Sequence, residues 1–463
     1  MLLLVLAPST ARADAAAPSG PPAIPAQWLQ SQVPESVSVG IQDGSGWWRI
    51  FRDPTLDRFE ARALVGNRDV LAALAVAREA QANARIMAAP LYPSVSAAAT
   101  YGRGTQSGTG ARGVELYGAF DPDISGANHA TRNSARGAAQ ASQDDAAMAS
   151  VDLSIAVAST YFELIGLSQR IHLAGKIADD ASRLLSLIEA QKRLGAVSDL
   201  DVEQQRNATA AFAAAVPALE RLAAADRHLL ATLTGEAPSA DALPSINLDT
   251  LPLPAAQPVS PAAFLAGRPD VAAAERRMAA ARFDVSAARA ALLPHLSLAL
   301  DGGLGADSAQ SLTPGGLIGG LLAQLAQPIV QGGALRGKVR FSRAKLEEMT
   351  QRYRQVMISA LRSVEDGLSD QDRLFAYERE TDVAVQSAQH AQTLAEARVR
   401  LGNADFTTLL LTQRALYQAE DTRLQIRQQR LTVLARLLAA CSGSQLPSAP
   451  VTTPALSSPS YAR

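Results

Sequence analysis

Apolar positions along this chain follow two rhythms, and the rhythms alternate twice. From about Asp57 to Ala89 apolar residues recur every three to four positions, which predicts helix broken near Gly66-Asn67. Residues 94–101 and 113–120 then alternate with period two. Val95, Ala97, Ala99 and Tyr101 share one side of the first stretch, and Val114, Leu116, Gly118 and Phe120 share one side of the second. Period two predicts strands, with the Gly-rich residues 102–113 as the loop between them. From Gly126 to Leu194 a helical pattern persists without a proline. It covers about 69 residues, or roughly 100 Å, where an ordinary helix has about 11–12. Within it Val151, Ile155, Ala158, Phe162 and Ile165 recur at spacings of four and three, the seam of a coiled coil. A further helix is predicted from Ser198 to Thr234, with Leu219, Leu222, Leu229 and Leu233 continuing the seam and Pro217 kinking it.

The order then repeats. Helix is predicted over 270–292, and Leu296, Leu298 and Leu300 alternate against Ser297, Ala299 and Asp301. A Gly-rich piece that includes Gly302-Gly303-Leu304-Gly305 reads as a turn, and a second strand-like stretch covers 317–330. A long helix over 334–401 and a last helix to about Ala440 follow, the last with Leu416, Ala419, Ile426, Val433 and Leu437 on one side. Short phrases recur at matching places. Asn67-Arg68-Asp69-Val70 is answered by Arg268-Pro269-Asp270-Val271, Pro93-Ser94-Val95 by Pro294-His295-Leu296, and Arg193-Leu194-Gly195 by Arg400-Leu401-Gly402. A repeat this long means two copies of one large unit rather than a solenoid. The expected organisation is a signal-like segment at 1–15, an extended arm at 16–50, one repeat at 51–254, a second at 255–442, and a disordered Pro/Ser-rich tail at 443–463. In the first half the two shorter helices, 67–89 and 199–234, together nearly match the long one, so they are expected to stack end to end along it.

Composition narrows the function. Forty-three basic residues face 44 acidic ones, which gives no electrostatic reason to expect nucleic acid. Cys441 is the single cysteine, so neither an internal disulfide nor a cysteine metal cluster is possible. The five histidines are scattered, and GxSxG, Walker A and dinucleotide fingerprints are absent. The expectation is no metal, no cofactor and no catalysis. Met1 to Ala7 is apolar and small residues follow, as in a secretory signal, although a basic start is missing. Apart from that there is no run of 18 apolar residues, so no transmembrane helix is expected. Strands of 8–12 residues can cross a bilayer when tilted. Four cannot close a barrel, and open sheet edges are untenable in lipid, so several chains must share one barrel. A helix of roughly 100 Å exceeds any bilayer core and must project into water.

Several motifs carry a resemblance: Trp47-Trp48 with Phe51 and Asp53-Pro54, Phe120-Asp121 before Gly126, and Tyr161-Phe162-Glu163-Leu164. The second half adds Gly267-Arg268-Pro269-Asp270, Leu293-Pro294-His295-Leu296, Gln327-Pro328-Ile329 before Gly332-Gly333, and Val364-Glu365-Asp366. In this order, over roughly residues 45–442, the chain resembles the TolC-like outer membrane factors, nearest their NodT-like drug-efflux branch. The resemblance implies an α+β membrane protein, internally duplicated and built as a homotrimer. Each protomer would give four strands to a twelve-stranded β-barrel and its coiled-coil helices to an α-barrel tunnel across the periplasm. Its implied partners are a periplasmic adaptor (membrane fusion) protein, an inner-membrane efflux transporter of the RND type, and outer membrane lipids. The competing reading is a soluble periplasmic coiled-coil scaffold or adaptor-like protein, which leaves the four alternating stretches unexplained.

On that resemblance the two tips, Arg193, Leu194, Gly195 and Ala196 in one half and Arg400, Leu401, Gly402 and Asn403 in the other, are candidates for adaptor contact. Asp199, Asp201 and Asp405 follow the tips and are candidates for an acidic pore constriction; helix N-capping is the alternative role. The sequence departs from the family pattern where relatives often carry Leu-Leu-Asp, since Leu409-Leu410-Leu411 stands here. It departs again in having no N-terminal cysteine for acylation, which implies an unacylated member or a start further upstream.

Overall fold

A computed structural model gives the fold and describes residues 24–29, 46–103, 110–195, 197–238, 246–254, 260–306, 317–401 and 406–442. A 3-10 turn at Trp47–Phe51 leads into α1 (Pro54–Gly66) and α2 (Arg68–Ala88). Proline sits at the start of α1, where a missing N–H costs no helical bond, and Asp53 caps it by accepting from the Thr55 N–H at 2.8 Å. The hairpin β1 (Ser94–Arg103) and β2 (Gly110–Phe120) follows, then α3 (Ala127–Arg193) and α4 (Asp199–Leu233). After a short α5 (Pro261–Ala266) the order recurs as α6 (Pro269–Ala290), β3 (His295–Ala306), β4 (Leu317–Ala326), α7 (Ala334–Arg400) and α8 (Phe406–Ser442). The long helices α3 and α7 have 67 residues each.

The strands form one antiparallel sheet in the order β1-β2-β3-β4, so the two hairpins join through β2 and β3. The register aligns the alternation across all four strands. Val95 and Ala97 lie opposite Gly118 and Leu116, Gly118 opposite Leu300, and Leu300 opposite Leu321. One face is therefore apolar from Val95 through Ala99 and across to Leu321, and its Val95, Leu116, Leu300, Leu321 and Leu325 are exposed; Arg103 and Arg112 hold register positions on it only at the loop end. The other face carries Ser96, Tyr117, Glu115, Ser297, Asp301 and Gln324. A one-residue slip would exchange the faces, so the pattern fixes the register.

The strands outrun their expected length at three ends. Pairing continues through Arg103↔Gly110, inside the stretch expected as a loop. Gly302 to Gly305 form no turn, because they continue β3 as ladder partners of Leu116 to Gly113. Period-two analysis is blind to glycine-rich strand, since glycine shows no side to alternate. β4 ends at Ala326 rather than 330, where Pro328 can donate no ladder bond.

In the first half, α2 and α4 both pack on α3. They meet end to end: the Asn67 side chain accepts from the Asp69 and Val70 N–H groups at 3.0 Å, capping α2, and its Nδ2 donates to Leu233 O, the last residue of α4, also at 3.0 Å. A Cβ added to Gly235 would lie 2.0 Å from Gly66 O, so the splice tolerates no side chain there. In the second half, α6 and α8 pack on α7 in the same way, and α3 also contacts α6 and α8, which joins the halves. α4 runs through Pro217 without a break. Beyond Pro217 its buried positions are Leu219, Ala223 and Leu230; Leu222 and Leu229, expected in the seam, are exposed. The apolar band is wider than one seam, and only part of it meets α3.

The largest core forms a belt midway along the helices. Trp47, Phe51, Tyr161, Phe162, Phe264 and Leu437 are buried in it, and Phe51 meets Phe162 edge-on with ring centroids 4.8 Å apart. Tyr161 donates to Asp53 Oδ2 at 2.5 Å, and Ser154 donates to the buried Glu60 at 2.9 Å. Trp28 packs edge-on against Phe264 at 5.6 Å and brings part of the N-terminal arm to this belt. Arg268 and Asp270 pair at 2.7 Å at the start of α6. Against the expectation of no membrane-like helix, α3 and α4 each hold an 18-residue window of mean hydropathy 1.3 and 1.2. In α3 that window is 56% buried within the fold, so packing seam and alanine content explain it. The signal-like segment at 1–15 and the tail at 443–463 lie outside the described residues.

Candidate functional site

The first tip is built by helix-end chemistry. α3 ends at the exposed Arg193, Leu194 N–H donates to Gln191 O at 3.0 Å, and Gly195 N–H donates to Lys192 O at 2.9 Å. Gly195 has φ +75°, a left-handed conformation in which a side chain is strained, and it faces open space. Leu194 is 84% exposed, an apolar side chain presented to solvent at the extreme end of the hairpin. Ser198 and Asp201 then make a capping box: Asp201 N–H donates to Ser198 Oγ at 3.3 Å, and Ser198 N–H donates to Asp201 Oδ2 at 2.9 Å. The Ser198 hydroxyl and N–H hold the Asp201 carboxyl below its ordinary range. Asp199 pairs with Lys192 across the turn. Two of the acidic candidates thus have local partners within one protomer. At the second tip α7 ends at Arg400, Leu401 N–H donates to Ala397 O at 3.1 Å, and Leu401 is 74% exposed. Ala196, Gly402, Asn403 and Asp405 lie outside the described residues.

Above the tips, side chains brace one half against the other. Arg170 of α3 pairs with Asp421 of α8 at 2.6 Å, and Phe212 of α4 stacks edge-on with Tyr417 of α8 at 6.0 Å. Arg423, Arg427 and Arg430 form a stripe along α8. Arg423 joins Asp382 of α7 at 2.7 Å and Asp249 of the inter-repeat segment at 3.2 Å, and Arg427 donates to Leu251 O at 3.1 Å. Arg430 pairs with Glu378 and lies over the Phe375 ring at 5.1 Å. The sequence reading missed these braces. The 4-3 spacing of the three arginines was a visible signal, but their partners are far away in the chain.

On α4, burial and repulsion from Glu163 push Asp226 up to about 6. Burial pushes the Cys441 thiol up to about 11, which keeps it from acting as a thiolate. Among the described residues no cluster of His, Cys, Asp and Glu is arranged for a metal ion.

A sheet with one apolar face, mounted on helices of 67 residues that end in solvent-facing tips, defines a membrane-anchored tunnel protein. The comparisons name its kind: the outer membrane efflux protein family matches residues 61–236 and 261–443, and the chain belongs to it. It is 32% identical over 440 residues to the pyoverdine export outer membrane protein OpmQ of Pseudomonas aeruginosa, covering 91% of each chain. It is 28% identical to the antibiotic efflux pump outer membrane protein ArpC of Pseudomonas putida, covering 93% of this chain and 91% of that one. The solved structure of the outer-membrane channel OprN superposes with a TM-score of 0.82 at 26% identity, covering 92% of this chain and 98% of that one. The protein is an outer-membrane efflux channel of the tripartite type, resident in the outer membrane and reaching into the periplasm.

Proposed function

We propose that three copies close into one twelve-stranded barrel above one helical tunnel, and that this assembly is the passive exit duct of a pump. The observation that carries the reading is the open four-stranded sheet whose one face is apolar across all four strands. Its edges β1 and β4 must pair with something in lipid, and another copy offers the matching edge. The tips dock the helical hairpins of a periplasmic adaptor, and an inner-membrane transporter of the RND type supplies the energy. The duct itself catalyses no reaction.

In this reading the exposed Leu194 and Leu401 supply apolar contact with the adaptor, and Gly195 keeps the reversal tight. Gly402 is the corresponding candidate in the second half. Asp199, Asp201 and Asp405, repeated threefold, bias the narrow end toward cations. The relatives are named for pyoverdine, antibiotics and toluene. Such breadth supports a wide duct for small molecules, with selectivity residing in the pump.

Gly195→Val and Gly402→Val are the direct test. Cross-linked trimers should form at wild-type levels in outer-membrane fractions while efflux is lost. Full efflux in both variants would remove the tips from the adaptor contact. A monomer in the soluble periplasmic fraction would instead overturn the shared barrel. Asp405→Ala should alter single-channel cation selectivity, and an unchanged reversal potential would remove it from the constriction.

A further inference from the structure

We infer that the groove between α2 and α3, just below the strands, is a binding site for the phosphate headgroup of an anionic phospholipid in the periplasmic leaflet. The groove encloses about 390 Å³, within the range of small-ligand pockets, and is lined by Arg85, Arg132, Arg136, Gln81, Gln140 and Tyr92. It therefore brings three guanidinium groups together with amide and phenol donors. None of the three arginines makes an ion pair among the described residues, and Arg132 donates to the neutral Asn133 Oδ1 at 3.0 and 3.2 Å.

The nearby carboxylates are engaged elsewhere. Asp121 accepts from Asn128 at 3.1 Å, and Asp123 accepts from the Asn128 and His129 N–H groups at 2.9 and 2.8 Å. Further along α3, Asp144 pairs with Arg276 at 2.7 Å and Asp145 pairs with Arg277. Three clustered cations without a counter-charge are a standing attraction for an anion, and arginine forks suit phosphate.

Depth selects the source of that phosphate. α2 ends three residues after Arg85, and α3 begins five residues before Arg132 and nine before Arg136, so Arg85 and Arg132 lie about 5–8 Å along their axes from the strand-bearing ends and Arg136 about one turn deeper, about 14 Å from the strand-bearing end of α3. The headgroup layer is itself about 5–7 Å thick on each side of the hydrocarbon. Side chains on a helix lean toward its N-terminus. Those of α3 therefore lean toward the membrane, and that of Arg85 on the antiparallel α2 leans the other way, so they converge.

The groove also shares a face of α3 with the aromatic belt. Arg136 precedes Ser154 by about five helical turns, and Gln143, another lining residue, precedes Tyr161 by the same distance, so each pair shares one face of α3. Ser154 and Tyr161 bond to Glu60 and Asp53, at the belt that wraps this face. Both walls belong to one protomer.

The inference rests on the strands being embedded in the membrane, and planar-bilayer conductance reports on that separately. The purified channel in detergent is mixed with phosphatidylglycerol or phosphatidylcholine of identical chains, and the lipid retained is measured by native mass spectrometry. The wild type should retain at least ~5-fold more phosphatidylglycerol, and R85Q/R132Q/R136Q should lose the preference while keeping its conductance. R85K/R132K/R136K should keep most of it, and R136Q alone, at an exposed position, guards against misfolding of the triple variant by reducing it in part. Equal retention of the two lipids, or an undiminished preference in both glutamine variants, overturns the site. Complete displacement of lipid by inorganic phosphate also overturns it, in favour of a free-anion site.

Discussion

Arg170 on α3 and Asp421 on α8 form a two-pronged ion pair, Nε to Oδ1 at 2.6 Å and Nη2 to Oδ2 at 3.2 Å, across 251 residues of sequence. The pair is largely shielded from water, and Gln425 donates to the same Asp421 carboxylate at 2.6 Å. It ties the long helix of one half to the last helix of the other, above the tips. Arg170→Ala and Asp421→Ala should each loosen this brace and raise the open probability of the reconstituted channel. A double-mutant cycle on stability should show coupling of about 1–2 kcal/mol, because each single change strands the other charge. Additive effects would mean that the pair acts as two independent surface charges.

Asn67 serves two helices at once, capping α2 and bonding the end of α4. Asn67→Ala should destabilise the protein by about 1–3 kcal/mol, the sum of a lost cap and an unsatisfied carbonyl. Asn67→Asp keeps the cap but removes the donor, so it should fall between the two. Denaturant unfolding of the detergent-solubilised protein measures both, and equal stabilities for wild type and Ala would refute the splice.

Asp226 holds a carboxyl that burial and Glu163 raise to about 6, and its Oδ2 has no hydrogen-bond partner among the described residues. Its folded pKa exceeds the unfolded value, so the folded state binds more protons. Its contribution to stability is therefore greatest below the unfolded pKa of about 3.9, declines as pH rises to about 6, and is then constant. Asp226→Asn lacks this decline. The apparent melting temperature of the variant relative to wild type should climb between pH 4 and 6 and level off above. A difference that does not vary with pH would show that Asp226 titrates normally.

The two faces of the sheet give opposite expectations for the same substitution. Leu300→Arg lies on the apolar face and should cost about 2–4 kcal/mol if it sits at the bilayer midplane, reducing membrane-inserted protein. Ala299→Arg, one residue away on the other face, should insert normally and shift ion selectivity toward anions. Membrane yield and reversal potential separate the outcomes. Reversed results would mean that the faces have been assigned the wrong way round.

Much of this was legible from local pattern. The proline-free stretch ahead of Leu194 predicted α3, and Pro269 with Asp270 marked the start of α6, because capping and backbone restrictions act within a few residues. The repeated Arg-Leu phrases at 193–194 and 400–401 fall where α3 and α7 end, since a helix end needs its own local chemistry. Gly302 to Gly305 were misread because glycine carries no side-chain alternation, and β3 is extended there by β2 rather than by its own sequence. Leu222 and Leu229 were misplaced because periodicity finds an apolar band without saying which part meets a neighbour.

The sequence by itself determined the duplicated plan, the kinds and order of the elements, and the alternation that makes one face of the sheet apolar. These follow from short-range forces: backbone sterics, helix caps and the burial of periodic apolar residues. Tertiary structure alone decided that Asn67 meets Leu233, that Arg170 meets Asp421, and that Arg85, Arg132 and Arg136 share one groove. Those pairings depend on how helices of this length lie against one another. Distance along the chain carries no record of which side chains that packing brings together.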